Sequence, residues 1–111
     1  MEGVEMKVAD KNDVEKKDLE YIHQKAKEEF EILAGSTILF TGAGGFLGYY
    51  FIKSIFNWNE LYPKKKITVF ALDTFPNGVP KWLSGRNDLK IVKKDITKFK
   101  PAQNFDYIIH A

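Results

Sequence analysis

Cysteine is absent from the chain, which excludes disulfides, thiolate metal sites and a cysteine nucleophile, and which fits a reducing compartment. There is no run of about 18 consecutive apolar residues, the length a membrane-spanning helix needs, and no apolar stretch of signal-peptide type near the N-terminus. Beyond Lys64-Lys65-Lys66 no basic run is interleaved with aromatic residues, so nucleic acid is not an expected partner. Neither a long internal repeat nor a sustained heptad is visible. These absences leave a soluble, cytoplasmic protein with no membrane or nucleic-acid partner as the expectation.

What is present is enough for a packed core. The 111 residues can form one small domain, and 44% are hydrophobic, 14% aromatic and 29% charged. Charge is unevenly spread. Residues 1–34 carry 6 Lys against 10 Asp and Glu, and residues 35–111 carry 11 Lys and Arg against 5 Asp and Glu. The net +6 of the second part suits an anionic ligand, although scattered lysines also simply solvate a surface.

Residues 1–12 are polar and are expected to fray. From about Asp13 to Leu33 the pattern is helical: Leu19, Ile22, Ala26, Phe30 and Leu33 recur at spacings of 3 and 4 and share one face. Asp13 is expected as the N-cap and Gly35 as the stop. This amphipathic helix, in an N-terminal extension over 1–34, either packs on the domain behind it or contacts another subunit. Thr37–Thr41 reads as a strand buried on both faces. A second helix starts at Phe46 and runs to about Trp58, with Phe46, Leu47, Phe51, Ile55 and Phe56 as its packing side and Asn57, Asn59 and Pro63 closing it. Further strands are expected at Ile67–Leu72 (ending in Asp73), Leu89–Val92 and Phe105–His110, with a short helix near Trp82 in the loop 74–88. Strand, helix and three more strands favour an α/β fold with a parallel sheet.

The stretch Thr41-Gly42-Ala43-Gly44-Gly45-Phe46-Leu47-Gly48 joins the first strand to the helix. Gly42, Gly45 and Gly48 make G-x-x-G-x-x-G; the G-x-G-x-x-G spacing fails at Leu47, and the triphosphatase loop fails because Tyr49 follows Gly48. Strand, glycine turn and helix in this order hold a pyrophosphate at a helix N-terminus. Gly42 permits the sharp exit from the strand, Gly45 lets the backbone approach the phosphates, and Gly48 lets the helix sit close. The N–H groups near Phe46 and Leu47 are expected to face the phosphates. Asp73 ends the second strand 25 residues beyond Gly48, where a carboxylate accepts hydrogen bonds from an adenosine ribose and repels a 2′-phosphate. The expected cofactor is NAD rather than NADP. Asp73 as a mere turn residue before Pro76 is the competing reading.

The last residues, Tyr107-Ile108-Ile109-His110-Ala111, read as a buried strand. A complete doubly wound domain needs further elements to cover both sheet faces, so residues 35–111 are expected to be the incomplete N-terminal part of such a domain.

Four motifs in order resemble the extended short-chain dehydrogenase/reductase family, the NAD-dependent epimerase/dehydratases acting on nucleotide sugars. They are Thr41–Gly48, Leu72–Gly78 (Leu-Asp-Thr-Phe-Pro-Asn-Gly), Lys94–Thr97 (Lys-Asp-Ile-Thr) and Asp106–Ala111 (Asp-Tyr-Ile-Ile-His-Ala). The resemblance implies a Rossmann NAD-binding domain with Phe46 and Leu47 at the pyrophosphate, Asp73 and Thr74 at the adenosine ribose, Asp95 and Ile96 at the adenine, and Ala111 beside the cofactor channel. Thr74 stands where many relatives have Asn. The resemblance further implies a homodimer and a nucleotide-sugar substrate held by a region beyond these residues, with the outcome (epimerisation, dehydration or decarboxylation) left open.

That family works through a Tyr-x-x-x-Lys pair, in which the lysine lowers the tyrosine's pKa. Tyr21–Lys25, Tyr49–Lys53 and Tyr62–Lys66 have this spacing, but all precede the second strand, whereas family order places the pair well after the fourth. No catalytic residue is therefore assigned, and the 111 residues alone are expected to be inactive. His23 is placed in the polar extension and His110 in strand packing near the cofactor. A non-catalytic dinucleotide-binding module and an S-adenosylmethionine methyltransferase are the alternatives.

Overall fold

A computed structural model describes residues 11–101 and 103–111. The expectation for residues 1–10 lies outside the described residues. Helix α1 is Lys11–Leu33, strand β1 Thr37–Thr41, helix α2 Phe46–Leu61, β2 Thr68–Asp73, β3 Leu89–Lys93 and β4 Tyr107–His110. Single 3₁₀ turns lie at Lys81–Leu83, the short helix expected near Trp82, and at Ile96–Lys98.

The four strands form one parallel sheet in the order β3-β2-β1-β4. The chain thus works outward from β1 through β2 to β3, then crosses back to place β4 on the other side of β1. The reversal leaves a crevice at the carboxyl ends of β1 and β4, the place where ligands bind open α/β sheets. β1 is buried on both faces, as its unbroken apolar run requires: Ile38, Leu39, Phe40 and Thr41 are all at most 5% exposed.

Alternate residues of the sheet, Ile38 and Phe40 in β1 and Val69 and Ala71 in β2, meet Ile52, Ile55, Phe56 and Trp58 of α2 in the main core. Helix α1 lies against α2 and contributes Phe30, with Ile22, Ala26 and Leu33 packed beside it. Four of the five stripe residues, Ile22, Ala26, Phe30 and Leu33, therefore pack within the chain. The helix leaves regular geometry at Ala26 (φ −112°, ψ 16°). Asp13 is not an N-cap: the described helix already includes Lys11, and Asp13 lies in its first turn. The chain leaves α1 through Gly35 at φ +76°, the left-handed conformation expected of a helix stop.

Two expectations for α2 need correction. Phe46 and Leu47 are not packing residues but are 76% and 68% exposed, because the first turn of α2 projects past the carboxyl edge of the sheet. Asn59 does not close the helix, which continues to Leu61; it is buried (2% exposed). Its amide nitrogen donates to the Ile67 carbonyl (2.9 Å) and to Asp88 Oδ2 (2.8 Å), and its oxygen accepts from the Ile67 N–H (2.8 Å). Asn59 thus clamps the end of α2 to the entrance of β2, a role that a list of helix-breaking residues conceals. β2 is shifted by one residue to Thr68–Asp73, β3 runs one residue further, to Lys93, and β4 starts two residues later than expected, at Tyr107. Asp106 anchors that start: its N–H donates to the Thr37 carbonyl and its carboxylate accepts from the Thr37 N–H.

Among the described residues no helix is long and apolar enough to cross a membrane, and no group of three or more His, Cys, Asp or Glu could hold a metal ion.

Candidate functional site

The glycine turn leaves β1 at Gly42, whose φ of +78° only glycine adopts without strain. A Cβ there would lie 2.6 Å from the Ala111 carbonyl oxygen, so the end of β4 closes directly on the turn. The N–H groups of Gly42 and Ala43 both reach the Leu72 carbonyl, at 2.9 and 3.3 Å, which ties the turn to the end of β2. Gly48 is required for close approach: a Cβ there would sit 2.5 Å from the Ala43 carbonyl oxygen. Its near neighbour is the turn itself rather than a strand. Gly45 is different. It is the extended N-cap residue (φ −85°, ψ 179°), and a Cβ would meet only the Gly42 carbonyl oxygen at 3.4 Å.

The hydrogen-bond ladder of α2 begins with Tyr49 N–H donating to the Gly45 carbonyl at 3.0 Å. The N–H groups of Phe46, Leu47 and Gly48 precede it and have no helical acceptor. No side chain caps them and no acidic residue stands in the first turn. The positive end of the helix is therefore open to an anion.

Asp73, at the carboxyl end of β2, reaches across to this turn. Its Oδ2 accepts from Gly44 N–H at 2.9 Å and its Oδ1 from Phe75 N–H at 2.9 Å. A Cβ on Gly44 would lie 3.2 Å from that Oδ2 and 3.3 Å from the Phe75 ring. Asp73 is consequently both a turn residue and a bridge to the glycine loop, and the carboxylate retains lone pairs for a ligand hydroxyl.

All ten residues proposed from the sequence line two adjoining recesses that share Gly42, Asp73 and Ala111. One, of about 370 Å³, is bounded by Gly42, Gly45, Phe46, Leu47, Gly48, Asp73 and Ala111. The other, of about 220 Å³, includes Gly42, Asp73, Thr74, Asp95, Ile96 and Ala111 together with Thr41, Leu72, Lys94 and His110. Thr74 is exposed at its rim. Asp95 caps the Ile96–Lys98 turn, and the Thr97 N–H and hydroxyl hold its carboxyl below the usual carboxylate range. Ile96 is 47% exposed beside it. A larger recess of about 490 Å³ lies between α1, α2 and β4. Its lining is mostly apolar, with Glu29 as its one acidic residue, a poor setting for phosphate.

Three participants escaped the sequence reading. Gly44 is the glycine left over by G-x-x-G-x-x-G, and that surplus was the available signal. Phe75 carried none. Thr41, 1% exposed, hydrogen-bonds through its hydroxyl to His110 Nδ1, so His110 joins β4 to the base of the turn. His23 lies in the extension as expected, at the α1–α2 contact, where its ring lies 5.7 Å from Tyr62 and 6.1 Å from Trp58.

Tyr49 and Lys53 are neighbours, with Lys53 Nζ 5.4 Å from the Tyr49 ring centre. The Tyr49 hydroxyl donates to Glu15, however, and that bond, with burial and the Glu15 charge, pushes its pKa up to about 12. A tyrosine shifted in this direction is a poor general base. The pair serves to join α1 to α2.

Compared with known proteins, the chain matches no family model, no curated protein and no solved structure.

Proposed function

We propose that the chain binds the adenosine-pyrophosphate side of NAD and is the N-terminal, cofactor-binding part of an NAD-dependent nucleotide-sugar epimerase, dehydratase or decarboxylase. The fold on this reading is the first part of a Rossmann domain, with the order β3-β2-β1-β4 as its core. The observation that carries the reading is the joint placement of an uncapped α2 N-terminus and the Asp73 carboxylate around one crevice at the reversal of strand order.

The residues fit the group. A pyrophosphate would take the N–H groups of Phe46 and Leu47, and Gly45 adds no side chain between them and the ligand. Asp73 would accept from the ribose hydroxyls, and its negative charge would oppose a 2′-phosphate. Asp95 and Ile96 would border the adenine, with Ile96 supplying apolar contact. When bound, NAD supplies reversible hydride transfer. The chain's own residues bind and orient it. The nucleotide-sugar substrate rests on the four-motif resemblance, and its catalytic tyrosine and lysine would come from outside these residues.

Titration of the 111-residue chain with NAD, NADP and S-adenosylmethionine, followed by calorimetry and thermal unfolding, tests the reading. NAD should bind best and raise the Tm, by about 2.7 kcal/mol of stabilisation at a hundredfold excess over Kd. Binding of S-adenosylmethionine with no response to NAD would overturn it.

A further inference from the structure

Phe75 is the one non-glycine residue with positive φ (49°) among the described residues. Phenylalanine is rarely found there, and such a conformation persists only where its surroundings impose it. Here three contacts impose it. The Phe75 N–H donates to Asp73 Oδ1 at 2.9 Å. Its carbonyl accepts from Gly78 N–H at 2.9 Å, closing a turn with Pro76 in second place and Gly78 at φ +87°. Its ring is 3% exposed and packs against Gly44, near enough that a Cβ on Gly44 would meet Cδ1 at 3.3 Å. Gly44 in turn donates to the other Asp73 oxygen at 2.9 Å.

From this closed arrangement we infer that Phe75 is a positioning residue: ring and backbone together lock the Asp73 carboxylate in one orientation against the glycine turn, and so set discrimination between NAD and NADP. The inference rests on the NAD reading for its functional half. A carboxylate held from both sides by N–H groups cannot swing away from an incoming 2′-phosphate, so the repulsion is met in full. Without the ring, Gly44 and residue 75 are free to separate, and the carboxylate gains rotamers that relieve the clash. The left-handed φ of Phe75 directs its ring onto Gly44 while its N–H stays on the carboxylate two residues earlier.

The test compares Phe75→Ala and Phe75→Leu with the unmodified 111-residue chain. Leu keeps an apolar side chain in the buried position and guards against loss of the fold, which circular dichroism checks. Two quantities are read: the ratio of NADP to NAD dissociation constants, and hydrogen exchange at the Gly44 amide without ligand. The ratio should fall by about tenfold in Phe75→Ala and less in Phe75→Leu, and the Gly44 amide should exchange faster in both. A residue that only fills space would weaken both cofactors equally, leave the ratio unchanged and leave Gly44 protected; that result overturns the inference. If the unmodified chain binds neither dinucleotide, the NAD reading fails together with the discrimination role. The Gly44 exchange then still decides whether Phe75 positions Asp73: faster exchange upholds the positioning, and unchanged exchange overturns it.

Discussion

Asp73 Oδ2 accepts the Gly44 N–H at 2.9 Å, so the residue that ends β2 is tied to the turn that ends β1, although 29 positions separate them. One carboxylate therefore serves the fold and, on the proposed reading, the ligand. Asp73→Ala should weaken NAD binding at least about tenfold, equivalent to about 1.4 kcal/mol, while NADP binding weakens less or improves. Calorimetric titration with both dinucleotides measures this. Equal affinity for NAD in the variant and the parent would leave Asp73 with the turn role alone.

Gly45 and Gly48 separate binding from folding. At Gly45 the backbone is extended and a Cβ meets nothing closer than 3.4 Å, so Gly45→Val should cost only about 1 kcal/mol or less, the loss of a favoured N-cap residue. The new side chain would nonetheless stand at the helix N-terminus and should abolish NAD binding. At Gly48 a Cβ would be 2.5 Å from the Ala43 oxygen, so Gly48→Val should cost stability, by about 1–3 kcal/mol of overpacking. Thermal unfolding with and without NAD distinguishes the two; a Gly45→Val chain that still binds NAD would refute the assigned phosphate position.

Asn59 should dominate the stability of the α2–β2 junction. Asn59→Ala leaves the N–H and carbonyl of buried Ile67 without their side-chain partner and takes one donor from Asp88. Each orphaned buried group costs about 1–3 kcal/mol, so a loss of about 2–4 kcal/mol is expected. Urea unfolding should show a lower midpoint with an unchanged slope. A loss below about 1 kcal/mol would contradict the clamp.

Asp88 gives stability a specific dependence on acid. Desolvation pushes its carboxyl up, but hydrogen bonds from Arg86 and Asn59 and the Arg86 charge outweigh this and hold it below the usual carboxylate range. The unfolded chain therefore binds this proton more readily than the folded one. The contribution is fully present above the unfolded value of about 3.9 and is lost as pH falls through the lower folded value. Arg86, whose guanidinium also lies 3.9 Å over the Phe56 ring, supplies most of the compensation. Arg86→Ala should move the acid-unfolding midpoint, followed by circular dichroism, to higher pH. An unmoved midpoint would show that another carboxylate controls acid unfolding.

By itself the sequence determined the local elements: β1 at Thr37–Thr41, the glycine turn, Asp73 at the end of β2 and the apolar stripe of α1 could all be read from patterns a few residues long. Such patterns record backbone geometry and one-sided burial, both of which are local. Only the tertiary structure decided that β4 lies beside β1, which brings Ala111 onto Gly42 and gathers ten scattered residues into two adjoining recesses. It also decided that Phe46 and Leu47 face outward while Asn59 is buried. The α2 pattern shows apolar residues at its first turn, but no wall stands opposite them past the sheet edge. Asn59 reads as a terminator until Ile67 and Asp88 arrive to satisfy its amide. Burial depends on what the rest of the chain places nearby, and that depends on long-range pairing, which short-range periodicity does not encode.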